Sequence, residues 1–139
     1  MLAGRFVAFS FSFADKYFDC ANTVDSYDLL RTGKPGQVYT NSECSIPTAG
    51  APYGIDLLTV SSLGFSAWRV TSTPAGPSGP EVCGASFCVV EQLYAHDDRG
   101  TRLIDSSPPG SGTTLANIRI SGDLLRWTHD ATPHRTALS

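Results

Sequence analysis

Lysine is scarce in this sequence, and no run of arginines replaces it. Only Lys16 and Lys34 are lysines, the eight arginines are scattered, and the formal net charge is −3. A nucleic-acid-binding protein needs a basic surface that displaces counterions from phosphate groups. The composition therefore argues against DNA or RNA as a partner.

Long apolar runs are also absent. No stretch approaches the roughly 20 residues that a membrane-spanning helix needs. The segment 6–13 is rich in apolar residues, but Phe9, Phe11 and Phe13 alternate with Ser10 and Ser12. A period of two is typical of a strand with one buried face, not of a signal-peptide core. The sequence therefore predicts no membrane span and no signal peptide.

Helical periodicity is the third absence. No segment keeps apolar residues at i, i+3, i+4 and i+7 beyond two turns. The 13 glycines and 9 prolines, with 41% hydrophobic residues, are typical of many short strands joined by turns around a packed core. We therefore expect a single all-β domain over residues 1–139.

The four cysteines fall into two groups, and we predict the disulfides Cys20–Cys44 and Cys83–Cys88 because each closes a local loop. A zinc site is one alternative, but the first group does not form the second tight knuckle that such a site needs. Free thiols are the other alternative. Disulfides imply an oxidising compartment, so we expect an extracellular, cell-surface or periplasmic location. Without a signal peptide, the chain is expected to be part of a longer exported protein.

A turn glycine followed four or five residues later by an aromatic residue recurs three times along the chain. The three pairs are Gly4 with Phe9, Gly64 with Trp68, and Gly122 with Trp127. Matched aromatic residues in a repeat are typical of a shared core, so Phe9, Trp68 and Trp127 are predicted to be buried. An exposed stacking platform for sugars is the alternative.

A second pattern places a tyrosine before a polar glycine turn, at Tyr27 and again at Tyr94. Together the two patterns predict a unit of four short antiparallel strands. Its fullest copy has strands over 55–61, 65–70, 88–96 and 101–105. We expect repeat 1 over about 1–54, repeat 2 over about 55–113 and a partial repeat 3 over about 114–139.

Repeated four-stranded meanders are the blades of β-propellers. The segments 30–34, 98–102 and 122–130, which read LRTGK, DRGTR and GDLLRWTHD, resemble exported bacterial propeller-repeat proteins of the TolB-like kind. The chain is most similar to a C-terminal portion of such a protein, and the resemblance implies propeller-like blades. A closed propeller needs at least about four blades, whereas this chain has about two complete units plus partial strands. A compact β-sandwich is therefore the alternative fold.

An incomplete set of blades leaves an open strand edge. The strand over 5–13 is the candidate, because it is apolar on one side and no predicted strand precedes it. We therefore expect this edge strand either to mediate self-association or to pair with the remaining blades of a longer chain.

The densest polar cluster is His96-Asp97-Asp98. These side chains could bind a divalent cation or provide a general base beside a carboxylate. The favoured interpretation is a hairpin turn, in which the aspartates bond to their own backbone and Gly100 completes the reversal.

Two further segments carry possible chemistry. His129, Asp130 and His134 could bind a metal ion, but Pro133 favours a turn. Ser111 lies between two glycines, but no Gly-x-Ser-x-Gly motif is present, and the surrounding prolines and threonines are typical of a linker. No catalytic residue, cofactor site or metal site is assigned.

Three functional hypotheses follow. The first is a non-catalytic structural or protein-interaction module of an exported protein. The second is a carbohydrate or small-ligand binding module that uses loops 14–22 and 41–53, where exposed Tyr17, Phe18 and Tyr53 would favour it. The third is a hydrolase or lyase on a propeller-type scaffold, which would require His96 to converge with His129 or His134 in a pocket.

Overall fold

The fold of this chain is all-β. The computed structural model describes residues 1–14, 20–30, 36–41, 54–76, 79–80, 82–84 and 86–139. These residues form strands, turns and irregular segments without a helix, which confirms the predicted fold class. The strands are β1 Leu2–Ala3, β2 Phe6–Ala14, β3 Cys20–Asp28, β4 Gly36–Asn41, β5 Gly54–Val60, β6 Ser66–Ser72, β7 Ala75–Gly76, β8 Gly79–Pro80, β9 Val82–Cys83, β10 Ser86–Phe87, β11 Val90–Asp97, β12 Gly100–Ser106, β13 Leu115–Ser121, β14 Leu124–His129 and β15 Thr132–Ala137.

Three antiparallel meanders make up the larger sheets of the described residues. Sheet 1 has the order β1-β2-β3-β4, sheet 2 the order β5-β6-β11-β12, and sheet 3 the order β13-β14-β15. Two short ladders, β7 with β8 and β9 with β10, are inserted between the second and third strands of sheet 2. Each larger sheet pairs its strands in chain order. No helix in the described residues is long and apolar enough to cross a membrane.

Sheet 2 lies between the other two sheets. On one side β2 packs against β5 and β4 against β12, and on the other side β13 packs against β5, β6 and β11. Val24, Trp68 and Val70 are buried between sheets 1 and 2. A larger buried cluster that includes Leu93, Leu125 and Trp127 fills the space between sheets 2 and 3. The core is therefore two apolar layers separated by one sheet.

An aromatic pair links the second and third strands of every larger sheet. Its members are Phe9 with Tyr27 at 5.9 Å between ring centroids, Trp68 with Tyr94 at 6.2 Å, and Trp127 with His134 at 5.6 Å. Each pair joins a member of the glycine–aromatic pattern to a residue on the next strand of its sheet. The pairs are stacked, which stabilises neighbouring strands beyond simple burial of area.

The burial predicted for the three aromatic residues holds for two of them. Trp68 is fully buried and Trp127 is 7% exposed, but Phe9 is 38% exposed, so the prediction that it lies in the core is wrong. The strand register explains the difference. Trp68 lies on the face of sheet 2 that packs on sheet 1, and Trp127 lies on the face of sheet 3 that packs on sheet 2.

Phe9 has the equivalent position in sheet 1, on the face that points away from sheet 2. Ser10 pairs with Val24, which packs on sheet 2, whereas Phe9 pairs with Asp25 and therefore lies on the opposite face. Within the described residues, no further meander sheet packs on that face as sheet 1 packs on Trp68.

Residues 5–13 were predicted to form an open edge strand, and this prediction is wrong for the first part of the strand. β1 pairs with β2, with Leu2 opposite Val7 and Ala3 opposite Phe6. The amino terminus of Met1 also donates a hydrogen bond to the carbonyl oxygen of Ala8 at 2.7 Å. The backbone of residues 1–3 therefore pairs with the first part of the strand that was expected to be an open edge.

The turn glycine of sheet 2 shows why this position needs glycine. Gly64 has a φ of 92°, and a Cβ atom there would lie 2.7 Å from the ring of Phe6 in sheet 1. Any other residue would meet both a strained backbone and a steric clash. The repeated glycine is thus required by the turn and by the contact between sheets 1 and 2.

The hairpin between β14 and β15 differs from the turn expected at Pro133. Asp130 and Ala131 both have positive φ, 50° and 63°, as in the two-residue turns that match the twist of antiparallel strands. Pro133 instead lies inside β15, which is at the edge of sheet 3. An edge strand tolerates proline because one side of its backbone is unpaired.

One predicted disulfide lies within the described residues. Cys83 and Cys88 are bonded, with their Cα atoms 4.9 Å apart, and Cys88 is fully buried. The bond joins the β9–β10 ladder to the segment that enters β11. The pairing Cys20–Cys44 involves Cys44, which lies outside the described residues, and stays a prediction.

This disulfide predicts a clear alkylation pattern. We expect Cys83 and Cys88 to stay unmodified when the unfolded, unreduced protein is treated with an alkylating reagent, and to be modified after reduction. Peptide mapping by mass spectrometry measures both states. Modification of either residue before reduction would contradict the bond and, with it, the case for an oxidising compartment.

Candidate functional site

Asp97 is a buried residue whose carboxylate connects the β11–β12 turn to the end of the chain. Its side chain is 0% exposed and accepts two hydrogen bonds from the guanidinium of Arg102, at 2.5 and 2.7 Å. The backbone amides of Arg99 and Ser139 donate to the same carboxylate at 3.0 and 2.8 Å. Chiefly because of the bonds from Arg102, the pKa of Asp97 is lowered to about 2. The carboxylate therefore holds the β11–β12 turn and the end of the chain, as the turn interpretation predicted in part.

His96 lies on the other face of the same strand. Within sheet 2 it pairs with Ser66 of β6 and Thr101 of β12, and its Nδ1 lies 2.8 Å from the hydroxyl of Thr101. Burial lowers the pKa of His96, and the charges of Asp97 and Asp98 oppose this effect only partly. The imidazole of His96, bonded to a threonine, is part of a cleft of about 400 Å³ between sheets 1 and 2.

His129 belongs to a separate network between sheets 2 and 3. Oδ2 of Asp105 accepts a hydrogen bond from Nε1 of Trp127 at 2.7 Å. The same oxygen lies 3.0 Å from Nδ1 of His129. Burial tends to raise the pKa of Asp105, but the bonds from Trp127 and His129 outweigh it, and the pKa is lowered. The carboxylate of β12 thereby fixes the position of β14.

The residues of the hydrolase or lyase hypothesis are not brought together. His96 lies on the face of sheet 2 that packs on sheet 1, whereas His129 lies on the face of sheet 3 that packs on sheet 2. A whole sheet therefore separates the two imidazoles. His134 stacks on Trp127 and its ring centroid is 6.2 Å from that of His129.

No metal cluster forms around these histidines in the described part of the chain. There, no three His, Cys, Asp or Glu side chains are close enough together to hold an ion. The partner of His129 is Asp105, and Asp130 accepts a hydrogen bond from the backbone amide of Thr114 at 2.9 Å instead. Tyr17, Phe18 and Tyr53, which bear on the carbohydrate hypothesis, lie outside the described residues.

Ser111 is a turn residue. Its hydroxyl donates to the carbonyl oxygen of Pro108 at 2.8 Å and lies 2.6 Å from the hydroxyl of Thr113. Gly110 has a φ of 64°, and a Cβ atom there would overlap the side chain of Cys83. The glycine-rich segment therefore packs on the disulfide, which is a local reason for its composition.

A network of ion pairs and hydrogen bonds that was not predicted from the sequence connects sheets 2 and 3. Arg69 bonds to the carboxylate of Asp56 at 2.7 and 2.8 Å and to that of Glu91 at 3.0 Å. It also donates to the carbonyl oxygen of Leu115, while Glu91 accepts from the amide of Leu115 at 2.6 Å. One residue of β13 is thus held at both of its backbone groups.

Three arginines form a row across the outer face of sheet 3, and we call it the arginine row. Arg119 of β13 pairs with Arg126 of β14, which pairs with Arg135 of β15. All three side chains are exposed and lie on the face opposite Leu125 and Trp127. These arginines are scattered along the sequence and meet only in the fold. Their nearly symmetrical spacing about the two hairpin turns was the signal that could have found them.

Comparison of the chain with protein-family models, curated proteins and solved structures gives no match. Two surfaces stand out among the described residues. They are the face of sheet 1 that carries Phe9 and Tyr27, which we call the aromatic face, and the arginine row at the opposite end of the stack.

Proposed function

We propose that this protein is a non-catalytic β-repeat interaction module that docks through its aromatic face onto a further antiparallel sheet of the same kind. The observation that carries the proposal is the position of Phe9. In the two sheets where the equivalent residue is tryptophan, a neighbouring sheet covers it. In sheet 1 the equivalent phenylalanine is 38% exposed.

The aromatic face has the chemistry of a stacking surface. Phe9 and Tyr27 form a stacked pair on it, like the pair Trp68 and Tyr94 that sheet 1 covers. Burial of the part of Phe9 that is still exposed would contribute about 0.6–1.1 kcal/mol for each phenylalanine covered, because 38% of the residue is accessible. The favoured occupant is a sheet because a sheet is what packs on this position in the other two cases.

This stacking order also supports the proposed family. Meanders that pack face to face in chain order are the arrangement that the resemblance to exported TolB-like propeller-repeat proteins implies. The disulfide Cys83–Cys88 is compatible with an extracellular or periplasmic location. We therefore favour a propeller-like repeat protein of an oxidising compartment over the compact sandwich.

The non-catalytic assignment is supported by the roles of the polar side chains. Asp97 and Asp105 hold strands and turns together through bonds to Arg102 and Trp127. His96 is on a different face from His129, so the acid–base pair of the third hypothesis lacks the required geometry.

Phe9→Thr tests the docking proposal. We expect the isolated wild-type chain to self-associate, because a second copy provides another aromatic face, and the substitution to weaken this association by at least about tenfold. Threonine keeps the preference for strand structure. Size-exclusion chromatography with light scattering over a roughly tenfold range of concentration gives the mass.

Leu103→Thr is the matched control. Leu103 lies on β12 and is 48% exposed. Its replacement removes an exposed apolar side chain of similar size outside the aromatic face. Its association should equal that of the wild type. A wild-type chain that stays monomeric throughout, or equal effects of the two substitutions, would contradict docking through this face.

A further inference from the structure

The arginine row is electrostatically unbalanced. Directly opposite residues in antiparallel strands have Cβ atoms about 4.5–5.5 Å apart, and like charges placed there destabilise the sheet. Elsewhere Arg5, Arg69 and Arg102 bond to carboxylates. Within the described residues, by contrast, no carboxylate forms an ion pair with any member of the row. The row therefore carries a repulsion that the described fold does not neutralise.

The row lines a cleft of the size of a small-ligand site. Its volume is about 600 Å³, within the range of about 300–1,000 Å³ that is typical of such sites. Asn117 and Thr128 add polar groups to the lining. The amide nitrogen of Asn117 donates to the hydroxyl of Thr128 at 3.2 Å, and this hydroxyl donates to the carbonyl oxygen of Ala116 at 3.2 Å. A primary amide has a second N–H, which leaves a donor for a ligand.

The residues of the cleft indicate the chemistry of its ligand. A guanidinium group presents a planar fork of donors that matches carboxylate, phosphate and sulfate oxygens. Neighbouring strands lie about 4.8 Å apart, so the three guanidinium groups start from positions spread over about 10 Å. A ligand with two or more charged groups at a spacing of about 5 Å would contact two or three arginines at once.

We propose that the arginine row binds a small oxyanion ligand with two or more negative charges, carried by phosphate or carboxylate groups. The site is independent of the aromatic face, because it lies on the other outer sheet of the stack. Its three arginines also distinguish it from the aromatic face, whose central residues are Phe9 and Tyr27. Binding supplies the negative charge that the row lacks within the described fold.

Isothermal titration calorimetry of the whole chain with pyrophosphate and with citrate tests the proposal. We expect both probes to bind more weakly as salt is raised, because salt screens exposed charges. Arg126→Gln removes the central arginine and should weaken binding at least about tenfold. Arg99→Gln removes the same charge at an exposed turn outside the row and should change the affinity less than about twofold.

The melting temperature separates a binding role from a structural one. Arg126→Gln relieves repulsion on both sides, so its melting temperature should equal or exceed that of the wild type. Preference for pyrophosphate or for citrate would identify the phosphate or the carboxylate source. Absence of binding by both probes, equal weakening in the two variants, or binding of only an oligonucleotide or polyglutamate would overturn the proposal.

Discussion

Replacement of Trp127 by alanine should lower the free energy of unfolding by about 3–5 kcal/mol. Trp127 is 7% exposed and packs in the cluster between sheets 2 and 3 that includes Leu93 and Leu125. Truncation leaves a large cavity there. It also removes the indole N–H that donates to Asp105 at 2.7 Å, which leaves a carboxylate with one bond fewer.

Urea unfolding of the two proteins measures this difference, and Trp127→Phe separates its two causes. Phenylalanine keeps most of the apolar body but has no N–H, so it should cost about 1.5–3 kcal/mol, the value of a hydrogen bond to a charged group. A loss below about 1 kcal/mol for Trp127→Ala would show that sheet 3 does not pack on sheet 2 through this residue.

Asp97→Ala should lower the free energy of unfolding by about 3 kcal/mol. The substitution removes the carboxylate that bonds to Arg102 and to the backbone amides of Arg99 and Ser139. Arg102 is 32% exposed, so water can solvate part of its charge, and the cost should fall near the lower end for a broken buried pair. Asp98→Ala is the control, because Asp98 is the exposed neighbour in the same turn.

The Asp97 effect should depend on pH in a defined direction. The pKa of Asp97 is lowered from 3.8 to about 2, first by the bonds from Arg102. A carboxylate whose folded pKa is lowered stabilises the fold above its unfolded pKa and loses this contribution as the pH falls through its folded pKa. The difference between the urea midpoints of the wild type and Asp97→Ala should therefore be largest at pH 7. It should decrease as the pH falls from about 4 to about 2. A constant difference over that range would contradict the role of the ionised carboxylate.

Local features of the chain were sufficient to predict the longer strands, several of the turns and one disulfide. Alternation in the segment that contains Phe9 depends only on the strand period of two. A glycine such as Gly64 marks a turn because few other residues adopt a positive φ. Cys83 and Cys88 are close in sequence, so their pairing needs no knowledge of distant packing. Each of these features is decided within a few residues.

Only the tertiary structure determined which side chains are exposed to solvent and which charged groups lie next to one another. Phe9 and Trp127 follow the same local pattern, but sheet 2 covers Trp127, whereas no larger sheet of the described residues covers Phe9. One of the hydrogen bonds to the buried Asp97 comes from the backbone amide of Ser139, 42 residues later in the chain. The arginine row exists because two hairpin registers align Arg119 with Arg135 across the middle strand. Such outcomes depend on contacts between distant segments. The free energy of such a contact depends on both segments and on how the fold brings them together, so neither segment by itself determines it.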